Sequence, residues 1–384
     1  MRLRKRHRHH LSLLLCVAFC LFLAGCVGPR GDEAAALLAD IAAGEGPSRL
    51  KQTTAEPQHS TIAYRRSGRV GAADLYRNTE RPNGAVVVVP GLTPHGKDDP
   101  RLVAFVRSLA RARFLVLVPD IANTRALKVS AGDSAPIGDA IEELAQLFAG
   151  GAGRSVGLVA ISYAVGPALL ALADTPAGRH VKFAVAIGGY YDIDAAIGFV
   201  TTGFYRLPDG SWRQGAANEL GKSVFMRSNA DRVSDPADRA RLVAIAERRM
   251  AEPAAGASGD PGELVARLGP EGRAVYQLIA NRDPGQTAEL IARLPDTIRR
   301  ELRALDLKGR DLTQIAGPVF LIHGEDDPII PAGESVKLAA ALGSRADLTL
   351  VERFAHVDAG TAGLADSLRL WNVAQRMLAK RDRP

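Results

Sequence analysis

Apolar residues fall along this chain in two periods. Four runs, at 85–89, 114–118, 156–160 and 183–187, are continuous and largely aliphatic, the pattern of strands covered on both faces. Between them, 102–112 and 137–148 carry apolar positions three and four apart, which predicts amphipathic helices. Strand, helix, strand in that order predicts a mostly parallel sheet layered between helices. Ahead of this block, 61–66 and 69–76 flank Ser67-Gly68, so a hairpin should open the folded domain. The strand pattern lapses after Tyr191 and resumes at 319–323 and 348–351, with further amphipathic stretches at 333–342 and 362–378.

The interruption is rich in Ala, Arg and Glu, with frequent Pro and Gly and no buried-strand pattern. Helical spacing at 236–250, 262–268, 272–280 and 287–305 predicts an inserted, mostly helical cap. Its aromatic residues Phe199, Phe204, Tyr205 and Trp212 are expected in the cap's own core, with an acyl pocket as the alternative. Residues 27–58 are broken by Pro and Gly and read as a tether with one short helix. There is no internal repeat, no metal-type Cys/His cluster and no Gly-rich phosphate loop in the sequence, so no cofactor or metal is called for.

Charge changes this picture only at the start. The formal net charge is +7, yet Arg2, Arg4, Lys5, Arg6 and Arg8 crowd the first eight positions. The apolar run that follows, 11–24, is too short to span a bilayer comfortably and reads as a secretory signal. It ends Leu23-Ala24-Gly25-Cys26, which resembles the lipobox of bacterial lipoproteins, where the cysteine is acylated and the peptide before it removed. On that resemblance Cys26 is the lipidation site, the chain is tethered to a membrane in the cell envelope, and 49 basic residues fall to 44 against 42 acidic ones. The basicity is then mostly targeting and gives no reason to expect a nucleic acid partner. Cys26 is also the only cysteine left, so an intramolecular disulfide is excluded and a large core must carry the stability.

The candidate chemistry sits at strand ends. The apolar strand 156–160 runs through Ile161-Ser162-Tyr163-Ala164 into an apolar helical stretch beginning at Gly166. This junction resembles the nucleophile elbow of the α/β-hydrolases, a strained strand-to-helix turn that projects a serine oxygen. Ala160 and Ala164 stand where that family usually has glycine, and a serine capping a helix is the plain structural alternative. Further on, Phe320-Leu321-Ile322-His323-Gly324-Glu325-Asp326-Asp327-Pro328 is similar to the family's acid-bearing loop, and its register makes Asp327 the acid, ahead of Asp326 and Glu325. The strand 348–351 then leads to a loop histidine, His356.

A serine hydroxyl needs a base to take its proton, and the base needs a carboxylate to hold its tautomer. The order Ser162, Asp327, His356 matches the fold. By the same resemblance the backbone N–H groups of Leu92 and Tyr163 form the oxyanion hole, the loop at 90–96 following a central strand. His323 is expected to be a structural hydrogen-bonding residue, and His95 could contact a ligand.

The resemblance implies an α/β-hydrolase fold whose mostly parallel sheet carries helices on both faces and an inserted cap. The division is a signal peptide at 1–25, a tether at 26–59, core segments at 60–197 and 311–384, and the cap at 198–310. The expected activity is hydrolysis of a carboxylic ester, or an amide or thioester, in a small-molecule or acyl substrate. Two alternatives stand beside it: a non-catalytic envelope scaffold that binds a ligand or protein, and a cofactor-free haloperoxidase-like activity on the same triad.

Overall fold

The computed structural model describes residues 28–79, 81–149, 156–207, 209–215, 217–251, 262–352 and 363–382. Eight strands form one sheet: β1 (Gln58–Arg66), β2 (Arg69–Arg77), β3 (Gly84–Val89), β4 (Phe114–Pro119), β5 (Val156–Ile161), β6 (Val181–Ile187), β9 (Val319–Gly324) and β10 (Ala346–Val351). Their order is β1-β2-β4-β3-β5-β6-β9-β10. The β1–β2 and β2–β4 pairs are antiparallel and every later pair is parallel.

The continuous apolar runs have the expected cause. Successive residues of β3 point to opposite faces, Val87 and Val89 into one core and Val86 and Val88 into the other. The first core is closed by helices α5 (Ser134–Ala149), α6 (Val165–Asp174) and α14 (Gly333–Leu342), through residues such as Ile141, Leu169 and Leu338. The second is closed by α1 (Pro29–Ala43), α3 (Pro100–Arg111) and α15 (Leu364–Arg381), through Leu37, Leu109 and Leu378. Two short helices, α2 (Arg49–Thr53) and α4 (Ala122–Arg125), lie in the connections.

The cap begins with α7 (Ile193–Thr202) and a two-stranded ribbon, β7 (Phe204–Arg206) with β8 (Trp212–Gln214). It continues through α8 (Glu219–Ala230), α9 (Pro236–Ala251), α10 (Gly262–Ala266), α11 (Pro270–Ala280), α12 (Thr287–Ala292) and α13 (Asp296–Leu305). Met226, Leu242, Ile245, Val275 and Ile298 build its own core, which also takes in Tyr163 and Tyr190 from the sheet side. The single helix expected over 287–305 is two. Pro295 has no N–H to continue the first and its ring clashes with the preceding turn, so the chain restarts at α13.

The expected tether is a second correction. Residues 29–43 form a 15-residue helix with Pro29 in its first turn, and Ala34 and Leu37 are buried in the second core. Trp371 Nε1 in α15 donates to Gly31 O at 2.8 Å, and Arg381 pairs with Glu33 at 2.9 Å. Asp40 is fully buried and takes an ion pair from Lys51 at 2.9 Å. The Pro and Gly residues broke up the pattern, and the helix that buries Ala34 and Leu37 lies more than 300 residues away. Leu37→Ala is therefore expected to lower the unfolding free energy by about 2–4 kcal/mol in denaturant titration, where a tether residue would give no change.

Candidate active site

The sheet order reverses between β3 and β5: the chain leaves β3 toward β4 and leaves β5 toward β6. Connections departing to opposite sides open a crevice at the carboxyl ends of those two strands. Ser162 stands in that crevice, as the first residue of a short turn between β5 and α6. Its φ is +57°, a left-handed backbone that a non-glycine residue adopts at a cost of about 1–3 kcal/mol. Ala160 and Ala164 are both buried beside it. The alanines fit where glycines were expected, since neither of them carries the positive φ.

The loop after β3 lies against this turn. A methyl group built on Gly91 would stand 3.3 Å from Ser162 Cβ and 3.2 Å from Ile161 O, so glycine permits the approach. The side chain of the neighbouring Leu92 packs against the cap core. The loop is held from below by Asp99. Its carboxylate accepts from Thr93 Oγ1 at 2.9 Å, from the Arg101 backbone N–H at 3.0 Å and from the Arg101 guanidinium at 3.0 Å. Burial acts to raise the Asp99 pKa, but the Arg101 and Thr93 hydrogen bonds outweigh it and hold the carboxyl at about 2. His95 is exposed at the loop's surface.

Asp327 follows β9, two strands away from β5. It is buried, whereas Glu325 and Asp326 are exposed in the same turn. Its Oδ1 accepts from the backbone N–H groups of Ile329 at 2.7 Å and Ile330 at 3.1 Å. Its Oδ2 faces Gly188, where an added methyl group would stand 3.4 Å away. These contacts fix the orientation of the carboxylate. His323 beneath it is fully buried. Its Nε2 lies 2.8 Å from Ile330 O, an acceptor only, and 3.5 Å from Asp327 Oδ2, so Nε2 carries a proton, while Nδ1 lies 2.6 Å from Ser335 Oγ. His323 is thus committed to structure, as the sequence predicts. His356 and Cys26 lie outside the described residues.

No family model and no curated protein matches the sequence. Solved structures do. A proposed hydrolase of Legionella pneumophila aligns with TM-score 0.57 at 13% identity over 90% of this chain and 94% of that one. The rice cell wall degrading esterase LipA of Xanthomonas oryzae, in a ligand-bound form, aligns with TM-score 0.52 at 13% identity over 89% and 93%. The fold is that of the α/β-hydrolases. The chain spans 42% of the length of an acylaminoacyl peptidase of Pyrococcus horikoshii that it also resembles, with TM-score 0.46 and 12% identity.

Within this α/β-hydrolase fold several site residues escaped the sequence reading. Asp99 could have been found: an Asp-Pro pair opening an amphipathic stretch is a helix-start signal. Asp133 could not. It is buried beside Tyr163, whose hydroxyl lies 3.0 Å from Asp133 Oδ2 and accepts from Ser130 N–H at 2.6 Å. Asn123 donates to the other carboxylate oxygen at 2.7 Å. Burial raises the Asp133 pKa, helped by the Glu301 charge and opposed by Asn123, Tyr163 and Arg232. Burial also pushes the Tyr163 phenol well above its ordinary value, with Asp133 adding to it.

Of the cap aromatics, Phe199 is buried and meets Tyr205 edge-on with centroids 5.6 Å apart. Phe204, Tyr205 and Trp212 line a cleft of about 370 Å³ with Asp194 and Lys308. Ser162 is not among the residues lining that cleft. Trp212 is exposed and covered by the Arg206 guanidinium at 4.3 Å.

The two carboxyls give opposite pH signatures. Stability from Asp99 is complete above its ordinary value of 3.8 and is lost as pH falls through about 2. Asp99→Asn is expected to cost on the order of 1–2 kcal/mol at neutral pH, discounted because Arg101 is exposed, with the gap to wild type narrowing in acid. For Asp133 the folded pKa is raised, so its contribution is complete in acid and is lost as pH rises through that value. Asp133→Asn is expected to flatten this decline, read as melting temperature against pH from weak acid to neutrality.

Proposed function

We propose that this chain is a serine hydrolase that cleaves a carboxylic ester through an acyl-enzyme. The observation that carries the reading is the backbone of Ser162: a positive φ at the junction of β5 and α6, with the Gly91-Leu92 loop pressed against it. A serine that only caps a helix has no need of that strained conformation.

In the proposed reaction Ser162 Oγ attacks the ester carbonyl carbon while His356 takes its proton. The carbonyl oxygen becomes an oxyanion, stabilised by the Leu92 and Tyr163 backbone N–H groups, each worth roughly 3 kcal/mol. Collapse of the tetrahedral intermediate expels the alcohol, which leaves with the proton from His356. Water, deprotonated by His356, then releases the acid and restores Ser162. Asp327, held by the Ile329 and Ile330 N–H groups, orients His356 and stabilises its charged form. The substrate is a small-molecule ester, in keeping with the esterase among the structural neighbours. We further propose that Cys26 carries the lipid and that the enzyme works at a membrane of the cell envelope. Among the described residues no helix is long and apolar enough to cross one.

A fluorophosphonate probe should label the wild-type protein and fail to label Ser162→Ala. Hydrolysis of a p-nitrophenyl ester should fall by about 10⁴-fold or more in Ser162→Ala and in His356→Ala, with folding unchanged by circular dichroism. A folded wild-type protein that neither labels nor hydrolyses any ester would end this reading.

A further inference from the structure

The residue after the nucleophile donates its backbone N–H in the reaction above, and its side chain is not idle. Tyr163 is buried where the sheet meets the cap, and its hydroxyl is the hub of a polar chain. It accepts from Ser130 N–H at 2.6 Å and lies 2.8 Å from Ser130 O and 3.0 Å from Asp133 Oδ2. The loop carrying Ser130 is in turn sutured to the cap. Val129 N–H donates to Ser228 Oγ of α8 at 2.9 Å, and Ala131 N–H donates to Glu301 Oε1 of α13 at 2.7 Å. Glu301 is paired with Arg232 at 2.9 Å, and Thr297 Oγ1 donates to Arg232 O at 2.7 Å, which joins α13 to the end of α8. Lys128 pairs with Asp231 on the same edge.

The sequence of contacts therefore runs without a gap from two cap helices, through residues 128–133, to the phenol of Tyr163. We propose that Tyr163 is a positioning residue whose hydroxyl, through Ser130 and Asp133, couples the seating of the cap to the placement of the oxyanion-donating N–H at 163. The proposal rests on the reading of Ser162 as the nucleophile. Its physical basis is leverage: a phenol fixed at its tip by groups on a separate loop restrains its own backbone, and an oxyanion donor stabilises only when aimed at the developing charge. A cap that lifted would carry Val129 and Ala131 with it and release the phenol. Cap closure over bound substrate would then complete the hole at the moment it is needed.

The phenol has one proton and two acceptors within reach. With Asp133 ionised the proton goes to Asp133 Oδ2 or to Ser130 O, and Ser130 N–H continues to donate to Oη. Phenylalanine at 163 keeps the ring and its packing against the cap and removes only this junction. Glu301→Ala cuts the chain from the far end, at a residue that pairs with Ala131 and Arg232 and whose charge also bears on Asp133.

The test is a double-mutant cycle on the full-length protein, measured as kcat and KM for a p-nitrophenyl ester and as the rate of fluorophosphonate labelling at Ser162. Tyr163→Phe is expected to lower kcat by about 10- to 100-fold with KM within threefold. Glu301→Ala is expected to lower kcat in the same direction, and the double variant to be no slower than the slower single one, since both cut one chain. Additive losses, or a kcat for Tyr163→Phe within twofold of wild type, would overturn the coupling. Should Tyr163→Phe fail to fold, Asp133→Asn replaces it in the cycle and is judged by the same criterion. A wild-type protein that is folded yet neither labelled nor active overturns the nucleophile assignment itself, an outcome distinct from an active wild type with additive variants.

Discussion

A sheet buried on both faces leaves a chain few places to present polar groups. Here β3, β5, β6 and β9 are wrapped by helices on either side, and their residues alternate between two dry cores. Polar chemistry is confined to the carboxyl edge, where the strands stop and the backbone must find new partners. Ser162, the Gly91-Leu92 loop and Asp327 are all found on that edge, each one to three residues past the end of a strand. The opening of that edge is a consequence of strand order, because the reversal at β3 and β5 leaves it between diverging connections.

Each group at the edge is held by a different device. Ser162 is set by a strained backbone between β5 and α6. Asp327 is set by two backbone N–H groups of its own turn. The 90–99 loop is set by an ion pair and a hydroxyl that converge on Asp99. The fourth device is the longest in reach: the phenol of Tyr163 is held by a loop that is itself held by the cap. In the proposed reaction, pre-organisation of this kind would keep donors aimed before charge develops, its energetic cost met by the packed cores below.

The sheet was legible because unbroken aliphatic runs of five residues have few other fates, and the strands sit within two residues of the runs at either end. Within the acidic turn Asp327 is distinguished from Asp326 by register, and the structure separates the two by burial. The strand-to-helix turn was legible in its residue types despite Ala160 and Ala164, since the strained angle falls on Ser162 itself. What escaped the sequence depends on distant partners. The helix at 29–43 is buried by α15, and Ser130, Asp133 and Glu301 meet only after the cap is docked. Pro295 was visible but its effect was not, because the apolar spacing continues across the break.

The docked helix α1 also changes what an N-terminal lipid would do. Cys26 precedes Pro29 by only three residues, a span of about 10 Å when extended, and from Pro29 onward the chain is bolted to α15 through Trp371 and Arg381. An acyl group at Cys26 would therefore work as a mooring post rather than a long rope. The body could pivot about one corner but could not drift from the bilayer, so the direction in which the crevice at β3 and β5 opens would govern whether substrate arrives from the lipid or from the water.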